Sequence, residues 1–346
     1  MMKAAVLQEA KDLKIMDLPV PEAGPGEIVM KVKSALTCGT DVKTFRRGHP
    51  TIPFGGTHTA FGHEGSGVVY EVGEGVTKFR VGDRIAAHNT APCHSCYSCQ
   101  VGDYSMCDDL RQMRGTWAEY VRIPAALVNE TVFKMPDSMS HKTAALLEPL
   151  SCAVYGVDLS DIHLGDTVVV NGCGPIGLMM AKCAKLKGAY VMACDFTKLR
   201  LDTALALGVD EVIDLNNTQD QVEAVRERTP FGRGVDVAIE ATGVPEVWEK
   251  NIQMARKGGM VMEFGGCKPG TSITIDTKLL HYSQLTIKGV YHTTPRHVGI
   301  AFELIKRGEF PEELMINKTF KLDDALEALL SHARGESIKN EIAVDI

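Results

Sequence analysis

The sequence contains no run of lysine and arginine, and its 346 residues carry a formal net charge of −7. Nucleic-acid binders need a basic excess to neutralise phosphates, so the charge argues against that class. Arg46 and Arg47 form a lone pair, read as a solvated loop. No apolar stretch approaches the roughly 18 residues of a membrane span, which argues against a membrane protein. The start, Met1 to Glu9, reads as a short strand and lacks the longer apolar core of an export signal. Internal repeats and low-complexity tracts are also missing. With 45% hydrophobic and 23% charged residues, the composition is that of a soluble globular chain, not a disordered one. Its length suits about two domains. A cytoplasmic location is the expectation. Ten cysteines in a chain without an export signal point to metal binding before disulfides.

Two cysteine-bearing stretches carry that argument. Cys93, Cys96, Cys99 and Cys107 follow a C-x2-C-x2-C-x7-C spacing, so one loop can fold four thiolates around a tetrahedral ion. Such a closed site leaves no room for water and would be structural. Zinc is preferred, although an iron–sulfur cluster accepts the same four thiolates. The second stretch opens with Cys38-Gly39-Thr40-Asp41 and closes with Gly62-His63-Glu64. It is half of a zinc site, because a catalytic zinc takes thiolate and imidazole and keeps one position open. Glu148, in Leu147-Glu148-Pro149-Leu150, is nominated as the distant third ligand. The competing reading makes Cys38 a small buried hydrophobe, His63 a satisfied core histidine and Glu64 a surface charge.

Short strands separated by glycine turns fill residues 1–150. Ile28, Met30 and Val32 alternate with Val29, Lys31 and Lys33, a period near two that predicts a strand with one buried face. A compact barrel-like region with long loops is expected there. Beyond Gly165 the pattern changes to apolar runs alternating with amphipathic stretches. The runs begin near Thr167, Tyr190, Glu211, Val235, Met260 and Leu285, and predict a doubly wound parallel sheet. The first runs into Gly172-Cys173-Gly174-Pro175-Ile176-Gly177. A G-x-G-x-x-G between strand and helix lets the backbone approach a pyrophosphate, which the helix amino terminus then binds. Asp195 ends the second strand, where a carboxylate accepts the adenosine ribose hydroxyls and repels a 2′-phosphate. NAD is therefore preferred over NADP. Arg200 lies close enough to soften that preference or to cover the adenine or ribose.

Taken together, Cys38 with His63-Glu64, the four-cysteine lobe, Leu147-Glu148-Pro149 and the nucleotide unit with Asp195 resemble a zinc-dependent medium-chain dehydrogenase/reductase. The nearest branches are the sorbitol (polyol) dehydrogenases and L-threonine 3-dehydrogenases, and the resemblance spans essentially the whole chain. It implies an α/β architecture in which a Rossmann domain, residues 151–294, is inserted in a GroES-like β-barrel catalytic domain, residues 1–150 plus 295–346. It further implies a homotetramer, two zinc ions per chain, NAD as cofactor and a small-molecule alcohol or polyol as substrate. Glu64 and Glu148 each become a direct zinc ligand or one that exchanges with water, and Thr40 becomes the first member of a proton relay. Thr242, Gly243, Phe264 and Gly265 would contact the ribose and nicotinamide, with Val290 and Tyr291 facing the nicotinamide. His88, Asn89 and Trp117 fall where the family lines its substrate pocket.

One position departs from the pattern. Lys43 stands where these branches commonly place a relay histidine, which weakens assignment to threonine dehydrogenation. The expected reaction is oxidation of a secondary alcohol, preferably a polyol or sugar alcohol, to a ketone. Threonine-like and simple secondary alcohols are the runners-up. A zinc-free reductase would have no use for Cys38, His63 and Glu148 together. A non-catalytic, zinc-stabilised NAD-binding protein would need only the four-cysteine site.

Overall fold

A computed structural model describes residues 1–48 and 60–344; residues 49–59, inside the Cys38 to Glu64 stretch, lie outside the described set. The chain divides into two compact units, Met1–Ser151 with Thr293–Ile346, and Cys152–His292.

The first unit is built on a seven-stranded sheet. Its order is Ile316–Lys321, Lys339–Ala343, Ile28–Leu36, Glu64–Val72, Arg84–Ala87 and Val132–Lys134, with Tyr120–Ile123 also pairing to Ile28–Leu36. All pairings are antiparallel except that of Ile316–Lys321 with Lys339–Ala343. The strand at Ile28 differs from its predicted alternation, since Val29 is as fully buried as Ile28 and Met30. It is the central strand, bonded along both edges and broken by register shifts at Val29/Met30 and Val32/Ser34, while Lys31 and Lys33 keep the partial exposure the alternation predicts. Register then decides where chemistry collects. Leu36 pairs with both Glu64 and Glu341, so the end of one strand, the start of the next and the carboxyl-terminal strand meet at one sheet edge. Immediately past Leu36, Cys38 caps the helix Gly39–Arg47.

The second unit holds a six-stranded parallel sheet ordered Glu211–Asp214, Tyr190–Asp195, Thr167–Asn171, Val235–Glu240, Ala255–Glu263 and Thr286–Gly289. In chain order this is 3-2-1-4-5-6, with the order reversing between Thr167–Asn171 and Val235–Glu240, the crevice where such sheets bind dinucleotides. Each run predicted as a strand is one. Val169, Met192, Cys194, Ala238 and Met254 form its apolar core. Beside them runs a buried polar chain in which Gln221 donates to Asn171 Oδ1 at 2.7 Å and Asn171 donates to Asn251 Oδ1 at 2.8 Å. Among the described residues no helix is long and apolar enough to cross a membrane.

Candidate active site

Cys38 closes the strand Ile28–Leu36 and opens a helix. Its Sγ accepts the Thr40 N–H at 3.4 Å, and its own N–H donates to Asp41 Oδ2 at 2.9 Å, a reciprocal cap that fixes the thiol at the sheet edge. His63 precedes the strand Glu64–Val72 and follows Gly62, whose φ of +83° is open to glycine alone in practice. A Cβ there would also sit 2.2 Å from the Trp117 ring. Trp117 thus proves to be core and not a pocket wall. It is fully buried, donates Nε1–H to Leu36 O at 3.2 Å and meets Phe61 edge to face at 5.1 Å. The indole needs a buried acceptor, and the Leu36 carbonyl supplies it.

Donor atoms of Cys38, His63 and Glu64 lie within 4.8 Å of one another. Asp41, to which sequence reasoning gave no role although it stood in the quoted motif, is buried and holds His63 Nδ1 at 3.0 Å. A carboxylate on Nδ1 fixes the ring and leaves Nε2 to bind a metal. Burial opposes charge on His63, yet Asp41, Cys38 and Glu148 outweigh it and hold its pKa well above the usual range. Glu64 is fully buried and gripped by Lys339, whose Nζ lies 2.9 Å from Oε1 and 2.7 Å from Oε2. Lys339 was not legible as a site residue, because its partner stands 275 positions away and no local pattern marks it.

Glu148 begins the helix Leu147–Leu159 and stands outside the set formed by Cys38, His63 and Glu64. Asn89 Nδ2 donates to its Oε1 at 3.0 Å, and a ring nitrogen of the buried His88 lies within 4.8 Å of the carboxylate. Burial is the main force raising Glu148 to about 7, with His63 opposing and Glu64 adding to the rise. Beside the Cys38 thiol and the His63 ring, the buried carboxyls of Glu64, Asp41 and Glu148 thus face one buried lysine, which contacts Glu64. The donor chemistry fits zinc, which would supply the missing positive charge. Thr40 is half-buried on the first turn of its helix, and Lys43 is exposed on the same helix.

The sulfurs of Cys93, Cys96, Cys99 and Cys107 also lie within 4.8 Å of one another, and none of the ten cysteines is in a disulfide. The Cys96–Cys107 separation of 3.9 Å matches the edge of about 3.8 Å expected for a tetrahedron with zinc–sulfur bonds near 2.3 Å. The Ser95 hydroxyl at 3.5 Å, and then the backbone N–H groups of Ser95 and Cys96 at 3.5 and 3.4 Å, point at Cys93 Sγ and draw that thiol down to about 6. Donors aimed at sulfur favour thiolate, the form a metal needs.

In the second unit the glycines of the fingerprint have separate reasons. Gly172 has φ +95° and packs on Thr242; a Cβ on Gly177 would lie 1.8 Å from Gly172 O; Gly174 faces open space. Close helix–strand packing thus leaves a clear approach at Gly174 for a pyrophosphate, above the helix Pro175–Leu186 whose first turn includes Ile176. Asp195 is buried, accepts from Cys173 N and Thr197 N at 2.8 Å each, and has Arg200 Nη1 at 3.5 Å. Thr242 and Gly243 follow the strand Val235–Glu240, Phe264 and Gly265 follow Ala255–Glu263, and Val290 and Tyr291 follow Thr286–Gly289. All six lie at the carboxyl ends of neighbouring parallel strands, the edge that the open cradle also occupies. The fit to a dinucleotide is good.

Family models described as "Alcohol dehydrogenase GroES-like domain" and "Zinc-binding dehydrogenase" match residues 24–137 and 175–307. The (R,R)-butanediol dehydrogenase of Bacillus subtilis (strain 168) is 33% identical over 94% of this chain and 94% of its own. The chain belongs to the zinc-dependent medium-chain dehydrogenase/reductase family. This dehydrogenase is also 29% identical to the sorbitol dehydrogenase of the same strain, over 98% of this chain and 95% of the other. A structure titled as a short chain alcohol dehydrogenase from E. coli CFT073, complexed with cofactor NADH, superposes with a TM-score of 0.87 at 25% identity, covering 99% of both chains. The dehydrogenase is thus an oxidoreductase of the zinc- and NAD-using type, with a Rossmann unit and a GroES-like catalytic unit.

Proposed function

We propose that the enzyme oxidises the secondary hydroxyl of a polyol or sugar alcohol to a ketone, with NAD+ preferred over NADP+. The observation that carries this reading is the convergence of Cys38, His63 and Glu64, with Asp41 locked on the far side of the imidazole. Bound zinc would supply a Lewis acid for the alcohol hydroxyl, and bound NAD+ a hydride acceptor. Cys38 and His63 hold the metal, with Glu64 and Glu148 as the carboxylates that ligate it directly or through water. Cys93, Cys96, Cys99 and Cys107 hold the structural ion. Thr40 takes the hydroxyl proton first; Lys43, exposed on the same helix, is not the next member, so water or a ribose hydroxyl passes the proton on. His88 and Asn89, grouped around Glu148, present polar atoms suited to a substrate with more than one hydroxyl. The names of the sorbitol and butanediol relatives support the same class. Gly172, Gly174 and Gly177 admit the pyrophosphate, Asp195 takes the adenosine ribose, and Thr242, Gly243, Phe264, Gly265, Val290 and Tyr291 line the nicotinamide half. The working form is a cytoplasmic homotetramer, checked by light scattering.

Metal content per chain, measured beside NAD+ reduction over sorbitol, xylitol, threonine, butanediol and simple alcohols, tests the reading. Two zinc ions falling to one in Cys38→Ser, with loss of turnover, is the expected result. One zinc in the parent, kept in Cys38→Ser, with NAD bound and no alcohol oxidised, would overturn it in favour of a binding protein.

A further inference from the structure

Three buried carboxylate oxygens in the Rossmann unit have no hydrogen-bond donor in good geometry among the described residues: Oε2 of Glu240 and both oxygens of Glu263. Glu240 is fully buried and Glu263 is 2% exposed. They are in-register partners at the ends of adjacent parallel strands, so they project from the same face about 4.8 Å apart at the backbone. One N–H of the Asn251 amide goes to Ala238 O at 3.2 Å; the other faces Glu263 and favours its ionised form, without reaching good hydrogen-bond geometry. Two buried carboxylates side by side, with no cation, cannot both be ionised at modest cost. The other oxygen of Glu240 is occupied. It accepts Thr242 N–H at 2.5 Å, Gly243 N–H at 2.9 Å and the Thr242 hydroxyl, and so ties down the whole turn.

We propose that Glu240 and Glu263 share one proton, Glu263 donating to Glu240 Oε2, and that the pair positions the Thr242–Gly243 turn for the dinucleotide. This rests on the reading that the turn contacts the cofactor. The surroundings suit a neutral donor. The helix Pro245–Met254 turns Trp248 and Asn251 inward and carries Lys250 exposed, with Glu246 exposed and Glu249 bonded to Thr274 N. Asn171 and Gln221 contribute uncharged amides, and the strand Thr286–Gly289 sets Gly289 opposite Glu263, with Lys288 on the alternate face. Burial is the main force raising Glu263 to about 8; the Asn251 amide opposes it, and Glu240 is the charged neighbour that adds to the rise.

The test is NADH binding by the zinc-loaded, full-length enzyme, followed by fluorescence across pH, with Glu263→Gln beside the parent. The parent Kd should rise roughly tenfold between about pH 7 and about pH 9.5, one hydrogen bond's worth, while Glu263→Gln flattens that rise whatever its starting affinity. Equal pH profiles, or a Kd that follows sodium or potassium concentration at fixed pH, would overturn the proposal. Infrared difference spectra of Glu263→Gln against parent, and of the parent alone across pH, should show a carboxylic-acid C=O band that disappears at high pH. Absence of that band refutes the shared proton even if the variant folds poorly. A band present in a parent that fails to bind NADH at neutral pH would instead refute the cofactor reading.

Discussion

Replacing Lys339 with methionine should be among the most damaging changes to the catalytic unit. Nζ lies 2.7 and 2.9 Å from the two oxygens of Glu64, and both side chains are essentially out of solvent at 1% and 0% exposure. At an effective dielectric near 20, a pair about 2.8 Å apart attracts by about 6 kcal/mol, which desolvation of the two ions largely offsets. The net value of the intact pair is small. Removing one partner is different, because the Glu64 charge stays buried without compensation, at a cost of about 3–5 kcal/mol. Lys339→Met should therefore lower the unfolding free energy by that amount, and Glu64→Gln should be comparably costly. The double variant should recover about 2–3 kcal/mol relative to the sum of the two. Urea unfolding read by Trp117 fluorescence, in a Trp248→Phe background, reports on the unit that holds the pair. The loss should shrink when zinc is present, since the metal supplies positive charge beside Glu64. A loss below about 1 kcal/mol for Lys339→Met, or additive single effects, would refute the reasoning.

Asp41→Asn keeps an acceptor for the Cys38 N–H but removes the carboxylate from His63, so zinc affinity measured against a chelating dye should fall about 10–100-fold. Cys107→Ser should lower zinc from two ions to one per chain and reduce stability, with the change read by metal analysis and thermal melting. Asp195→Asn keeps an acceptor for only one of the two loop amides, Cys173 N and Thr197 N, a loss common to both cofactors, and by removing the charge should improve kcat/KM for NADP+ relative to NAD+ by roughly tenfold, as expected for loss of about 1.4 kcal/mol of repulsion. His141 is held down at about 4, from a usual 6.5, by burial and then by Arg84 and Lys33. Between those values the unfolded chain binds a proton that the folded chain refuses, so its stabilising effect is full above 6.5 and is lost as pH falls toward 4. The decline should be about 1–2 kcal/mol after allowance for partial solvent screening, and His141→Gln should remove it from unfolding curves measured across pH.

Much of the Rossmann unit was legible because its signals are local. Six apolar runs mark six strands, the glycine fingerprint sits between one strand and one helix, and Asp195 ends the next strand. The four-cysteine lobe was equally readable, since its spacing of a few residues leaves one compact loop. Trp117 shows the opposite case. Sequence context placed it on a pocket wall, but its packing on Gly62 and Phe61 and its bond to Leu36 belong to strands and loops brought together from far along the chain. The alternation expected at Ile28 holds for Met30, Val32, Lys31 and Lys33 and departs only at Val29, which is buried beside a register shift that local periodicity does not reveal.

The sequence by itself determined the inventory: which thiols and imidazole stand at ligand spacing, where the glycine fingerprint lies between strand and helix, and which acid ends the second strand. These follow from short-range geometry, in which a turn or a helix start fixes neighbouring groups. Tertiary structure alone decided how the inventory is held. Sheet register carried Lys339 from the far end of the chain to Glu64, set Asp41 against His63, and placed Glu240 beside Glu263. Strand pairing is a long-range choice made by burying whole faces at once, so no local window contains the information that brings those charges together.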